Sequence, residues 1–262
     1  MSYSFDVIGD IAILKFPEGT IVSGKKKTAL LFLKEHKNIK TALEKSDRVK
    51  GRLRIAKTKF LAGLDKRETI YVENSCRFKL NVDETYFSPR LANQRQIVSE
   101  DIVKKINGKN NKILVMFAGV APFPVVIAKK LKLKGKKAEI VSNELNRKAS
   151  KFAEENVKLN KLEDYIKVIQ CDAKKLSEKL GKEKFDFVVM PRPNLKDTFL
   201  QTALKLSKKG TKIYYYGFGE RDKVLEEIKK DIDKNKIGKI KIEKAGEIAP
   251  YKYRWLAEFS VL

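Results

Sequence analysis

The stretch 112–130, KILVMFAGVAPFPVVIAKK, constrains this chain more than any other. Residues 113–116 read as a buried strand, the residues around Ala118, Gly119 and Val120 as a tight loop, and the residues from about Pro124 as a helix. A strand, a glycine turn and a helix in that order build a nucleotide-sized pocket at the carboxyl end of a parallel strand. Three more apolar strands follow. Residues 138–141 lead to Glu144, residues 166–169 lead to Asp172, and residues 185–190 run into Pro191, Arg192 and Pro193. Each strand thus ends at a polar group or a turn, which collects these ends along one edge of a sheet.

The pocket residues have distinct tasks. Gly119 lets the backbone approach a ligand where a side chain would collide. Glu144 lies 25 residues beyond Gly119, near the ~20 expected for a carboxylate that accepts from ribose hydroxyls. Asp172, followed by Ala173, suits an adenine amino group. Two ligands fit this outline. A nicotinamide dinucleotide calls for G-x-G-x-x-G to cradle its pyrophosphate; here the loop is AGVAPF, with Ala121 at the second glycine position. The layout resembles instead the class I S-adenosylmethionine methyltransferases.

Charge narrows the partner. The chain has 262 residues, with 58 Lys and Arg against 33 Asp and Glu, a formal charge of +25. A charge of that size repels itself unless a polyanion is at hand, so nucleic acid is the first reading and an anionic membrane surface the second. No apolar run approaches the ~18 residues of a spanning helix, and no targeting signature opens the chain. Cys76 and Cys171 make no disulfide framework and read as small hydrophobes in a reducing cytoplasm. No metal-binding cluster stands out. The lysine runs, such as KKLKLKGKK over 129–137, read as solvated faces.

Length allows two domains. Residues 1–85 read as a small α+β domain. It has a strand pair over 5–16 around Gly9 and Asp10, a helix over about 28–43, a basic strand over 52–60, and a hairpin of 68–72 with 77–82 across Asn74 and Ser75. Residues 86–262 read as an α/β Rossmann-like domain with helices at about 93–106, 123–131, 147–159, 197–206 and 222–232. Its later strands fall at about 212–218, 240–245 and 254–261.

The segment YFSPRL over 86–91, MFAGV over 116–120, Ala249-Pro250, the opening FDVIGDIAI and KRETIYV over 66–72 together resemble the archaeal and eukaryotic tRNA guanine-N1 methyltransferases. These enzymes modify the purine on the 3′ side of the anticodon. The resemblance covers nearly the whole chain. It implies a class I methyltransferase domain behind a small α+β domain, S-adenosyl-L-methionine as cofactor, the tRNA anticodon stem-loop as partner, and a monomer. Phe117, Ala118, Gly119, Val120, Glu144, Leu145, Asp172, Ala173 and Pro193 then line the cofactor site, with Arg95 near its methionine end. Arg54 matches the guanidinium that steadies the guanine carbonyl; a phosphate contact is the other reading of that residue.

Three departures stand out. Many members carry a further small domain that touches the tRNA elbow, and this chain starts at the family's second domain. The family's proposed proton acceptor, four residues after the FSPR arginine, is here Gln94, which cannot accept a proton. The family's Asn-x-Pro is here Pro191-Arg192-Pro193. That proline resembles an archaeal subgroup that also methylates carbon 7 of 4-demethylwyosine to give isowyosine, and Glu144 in place of the usual Asp leans the same way. Two alternatives remain: a wyosine-pathway aminocarboxypropyl transferase, which usually lacks the arginine equivalent to Arg90, and a basic RNA-binding module with an inactive pocket.

Overall fold

Short runs of alternating and β-branched residues open the chain as a hairpin, β1 (Ser4–Ile8) with β2 (Ile11–Lys15), paired antiparallel across Gly9 and Asp10. Gly9 has φ +58°, and a Cβ there would meet Thr69 Oγ1 at 2.1 Å and Ile70 O at 2.6 Å, so only glycine fits this turn. The computed structural model describes residues 3–46, 55, 57–108, 110–249 and 251–262. The chain separates into two units, Met1–Pro89 and Arg90–Leu262.

In the first unit, helix α1 (Val22–Glu35) leads to β3 (Thr41–Lys45), parallel to β2, and β4 (Thr58–Gly63) closes a four-stranded sheet in the order β1-β2-β3-β4. Ala29 and Phe32 of α1 pack on Leu14, Ala42 and Leu61 of the sheet. The helix expected over 28–43 is therefore two elements. The run TALLFLKEHKNIKTAL keeps its apolar character through the break, but His36–Lys40 turns the chain so that Thr41, Ala42 and Leu43 enter the sheet fully buried. Of the strand expected over 52–60, residues 58–60 fall in β4; residues 52–54, Arg54 among them, and residue 56 lie outside the described residues. A separate hairpin, β5 (Glu68–Glu73) and β6 (Cys76–Asn81), turns at Asn74 and Ser75, both at positive φ (47° and 58°), as a tight two-residue hairpin turn demands. Phe87 is buried against the rings of Tyr71 and Phe78, which makes it core.

The second unit runs α2 (Ala92–Lys105), β7 (Asn111–Val115), α3 (Pro122–Leu133), β8 (Ala138–Glu144), α4 (Arg147–Leu159), β9 (Ile166–Gln170), α5 (Leu176–Leu180), β10 (Phe185–Met190), α6 (Leu200–Lys205), β11 (Ser207–Gly219), α7 (Arg221–Asp231), β12 (Lys241–Ala249) and β13 (Lys252–Ser260). The strands form one seven-stranded sheet in the order β12-β13-β11-β10-β7-β8-β9. The pairs from β11 through β9 are parallel, while β13 runs antiparallel between β11 and β12. The apolar runs Ile113–Val115 in β7 and Phe187–Met190 in β10 follow from burial on both faces. On one face Leu176, Leu200, Val224 and Ile228 pack on Leu114, Val188, Met190 and Tyr215. On the other, Tyr214 and Tyr216 point to α2, where the Tyr214 hydroxyl donates to Asp101 Oδ2 at 2.5 Å. From β7 the chain moves one way to β8 and β9, then returns to place β10 on β7's other side. The crevice at the carboxyl ends of β7 and β10 is thus the switch point where open α/β sheets bind ligands.

Candidate active site

The loop after β7 is built against conformational preference. Phe117 (φ +58°), Gly119 (φ +58°) and Ala121 (φ +66°) all take left-handed geometry, though two of them carry a Cβ. Such strain persists only where the surroundings impose it, and it concentrates at functional sites. Here the surroundings do impose it. Ala118 N donates to Asn143 O at 2.8 Å, Gly119 N to Glu144 Oε2 at 2.7 Å, and Ala121 N to Ala118 O at 2.9 Å. From α4, the fully buried Asn156 donates its Nδ2 to Val120 O at 2.9 Å. The expected loop residues 117–120 therefore share one fixed turn, and buried Ala118 and Val120 present backbone rather than side chain.

The other strand ends are tied to this loop. Glu144 Oε1 accepts from Asn146 N at 2.8 Å, and Cys171 N donates to Glu144 O at 3.0 Å, which joins the ends of β8 and β9. Burial pushes the Glu144 carboxyl up, against the backbone N–H groups that favour its charge. Asn143 donates Nδ2 to Cys171 O at 2.9 Å and to Ile169 O at 3.3 Å. Asn146 caps α4 by accepting from Lys148 N and Ala149 N. Leu145 is half-buried beside them, and its carbonyl accepts from Gln170 Nε2 at 3.0 Å. Asp172 Oδ1 accepts from Lys174 N at 3.0 Å and so caps the short turn Ala173–Lys175, whose Ala173 is buried in the core.

At the end of β10, Pro191 is half-buried and Pro193 buried. Between them Arg192, 4% exposed, turns inward to Glu227, Nη2 to Oε1 at 2.6 Å. At the start of α2, Gln94 and Arg95 are both buried, and the Tyr216 hydroxyl donates to Gln94 Oε1 at 3.3 Å. Burial also raises the Tyr216 hydroxyl's pKa, which keeps it a donor. Asn143, Asn146, Asn156 and Arg192 were not legible as site residues. Their partners are mostly backbone groups, which no sequence spacing announces.

The loop's donors decide which ligand fits. A pyrophosphate needs free N–H groups at a helix start. Along 118–125 the nitrogens of Ala118, Gly119, Ala121 and Val125 are already bonded, and Pro122 and Pro124 have no hydrogen. At most Val120 and Phe123 remain, beside the Glu144 carboxylate. A ligand with a sugar edge and a cationic sulfonium fits this site; a dinucleotide does not. Glu144 would hold the sugar and Asp172 the adenine amino group.

Residues 69–242 match the TRM5/TYW2 methyltransferase domain, and residues 1–66 match the TYW2 N-terminal domain. The chain belongs to the TRM5/TYW2 methyltransferase family. It is 34% identical over 267 residues to the tRNA (guanine(37)-N(1))-methyltransferase Trm5b of Pyrococcus abyssi, across 98% of this chain and 74% of that protein. It is also 34% identical over 304 residues to the tRNA (guanine(37)-N(1))/4-demethylwyosine(37)-methyltransferase Taw22 of Nanoarchaeum equitans, across 96% of this chain and 97% of that protein. Among solved structures, the complex of aTrm5 and tRNALeu covers all of this chain and 72% of that one, with a TM-score of 0.85 at 27% identity. The family's α/β methyltransferase fold is the fold of the second unit. No helix among the described residues is long and apolar enough to cross a membrane, and the described residues hold no cluster of metal ligands.

Proposed function

We propose that this protein is an S-adenosyl-L-methionine-dependent tRNA methyltransferase that acts on N1 of the guanine 3′ to the anticodon, as a cytoplasmic monomer. The observation that carries this reading is the Gly119–Glu144 hydrogen bond, which closes a loop offering a sugar acceptor and almost no phosphate donors, in a chain of the TRM5/TYW2 family. The cofactor supplies an electrophilic methyl group on sulfur; the rest of the chemistry falls to the chain and the RNA. Glu144 accepts from the ribose, Asp172 from the adenine, and the turn 117–120 lines the ligand with backbone. As N1 forms its new bond, negative charge grows on the adjacent carbonyl oxygen and the N1 proton passes to solvent water. Arg54 is the proposed guanidinium at that oxygen, where a preorganised donor lowers the barrier. Gln94 holds the amide oxygen already engaged by Tyr216 and does not take the proton. The first unit is proposed to contact the RNA, and the base must leave its stack to react, at a few kcal/mol.

A second activity, methylation of carbon 7 of 4-demethylwyosine, is favoured by Pro191 and by the match to Taw22 along 97% of that protein's length. The test is mass spectrometry of nucleosides from unmodified tRNA incubated with enzyme and cofactor labelled separately in the methyl and carboxypropyl groups. Methyl label in 1-methylguanosine supports the reading. Carboxypropyl label in tRNA assigns the chain to the aminocarboxypropyl branch, and cofactor binding without transfer makes it an RNA-binding module.

A further inference from the structure

Residues 191–199 cross the site as a strap. It leaves β10 at the switch point. At its far end Phe199 stacks edge-on against Phe117 (centroids 4.9 Å apart), and Asp197 pairs with Lys174 at 2.7 Å, two residues from Asp172. One side chain organises it from within. Arg192 Nη1 donates to Leu195 O at 3.0 Å, to Asp197 O at 3.3 Å and to Pro193 O at 3.4 Å, while its guanidinium lies over Tyr215 and Phe218 (5.0 and 5.7 Å to the ring centroids). Pro193 O also accepts from Leu195 N at 2.9 Å, a three-residue turn with Asn194 at its centre. Asn194 is exposed and has no hydrogen-bond partner among the described residues.

The reacting edge of guanine has three polar positions. N1 must stay open to the methyl group, and the carbonyl oxygen needs a donor. The exocyclic amine needs an acceptor. The strap's carbonyls at 193, 195 and 197 are turned inward to Arg192, and Asp197 is engaged by Lys174 and by Phe199 N. Pro191, Pro193, Leu195 and Lys196 have no side-chain acceptor, and Arg192 has only donors. Thr198 Oγ1 is engaged by Asp231 and by Leu200 N. Among the strap's side chains, Asn194 offers the acceptor that has no partner among the described residues. We infer that Asn194 Oδ1 accepts from the exocyclic amine of the target guanine, and that Arg192 is the positioning residue that holds the turn presenting it. The inference rests on guanine being the acceptor base.

The test compares single-turnover methylation of two tRNA transcripts, one with guanosine and one with inosine beside the anticodon; inosine lacks only the amine. Wild type is expected to favour guanosine by about tenfold, the scale of one neutral hydrogen bond whose partner is otherwise left unpaired. Asn194→Ala is expected to lower the guanosine rate by about the same factor, leave the inosine rate alone and leave cofactor affinity unchanged. Arg192→Lys cannot span three carbonyls and Glu227, so it should reproduce the loss of preference. Asn194 is exposed, so the alanine variant tests the contact without the burden of a misfolded core. Equal slowing of both transcripts by Asn194→Ala, or a wild type indifferent to the amine, overturns the inference. A wild type that methylates neither transcript overturns the guanine reading itself.

Discussion

Glu144→Gln isolates what the strand-end carboxylate contributes. Its two oxygens offer about four lone-pair sites. Gly119 N at 2.7 Å takes one on Oε2 and Asn146 N at 2.8 Å takes one on Oε1, which leaves one per oxygen for the sugar. A glutamine amide keeps a single oxygen and turns its NH2 toward a backbone N–H. It can satisfy one backbone donor and one hydroxyl, so one bond from sugar to carboxylate is lost. Hydrogen bonds to a charged group contribute about 1.5–3 kcal/mol each. The variant should therefore bind S-adenosylhomocysteine about 10- to 150-fold more weakly than wild type. Isothermal titration on both proteins reads this directly, with thermal melts to establish that the variant is folded. An affinity within about twofold of wild type in a folded variant would remove Glu144 from the sugar site and leave it as a loop brace.

Asn156→Ala leaves the Val120 carbonyl unpaired in a buried place; urea unfolding should show a loss of about 1–3 kcal/mol, and cofactor affinity should fall with it because the strained loop loses its brace. Burial raises the Glu144 carboxyl, so the folded state holds its proton to a higher pH than the unfolded chain does; the stability of wild type minus that of Glu144→Gln should be greatest in acid and fall as pH rises through and above the usual carboxylate range. A difference that grows with pH would mean that the two N–H bonds outweigh desolvation. Gln94→Glu gives Tyr216 a charged acceptor and the site a carboxylate; single-turnover rates on unmodified and 4-demethylwyosine tRNA should shift toward guanine N1 by up to ~10²–10⁴, and an unchanged ratio makes Gln94 a bystander.

The parallel strands were legible because burial on both faces leaves apolar runs, and the places of Gly119, Glu144 and Asp172 just beyond or at strand ends were legible from where those runs stop. What escaped was decided at longer range. β3 looked like the tail of a helix, since only its pairing with β2 and β4 makes 41–45 extended. Helix α6 begins at Leu200 rather than 197 because Arg192 holds the Asp197 carbonyl and Phe199 (φ +60°) turns the chain first. Helix α3 begins at Pro122, just ahead of the expected start at 123–124, because proline is well suited to a first helical position. The asparagines at 143 and 156 interrupt the apolar pattern of their elements and read as noise until the carbonyls they bind are located.

Those two prolines at the head of α3 also bear on competition in the cell. The adenosine half of the site would accept any adenine nucleotide, and ATP and the nicotinamide dinucleotides are abundant rivals. What such rivals carry beyond adenosine is negative charge. At this mouth they meet two imino nitrogens with no hydrogen to give, several amides already committed, and the Glu144 carboxylate. Selection for a scarce sulfonium metabolite over a sea of phosphates thus needs no gate. It is written into the backbone as missing donors.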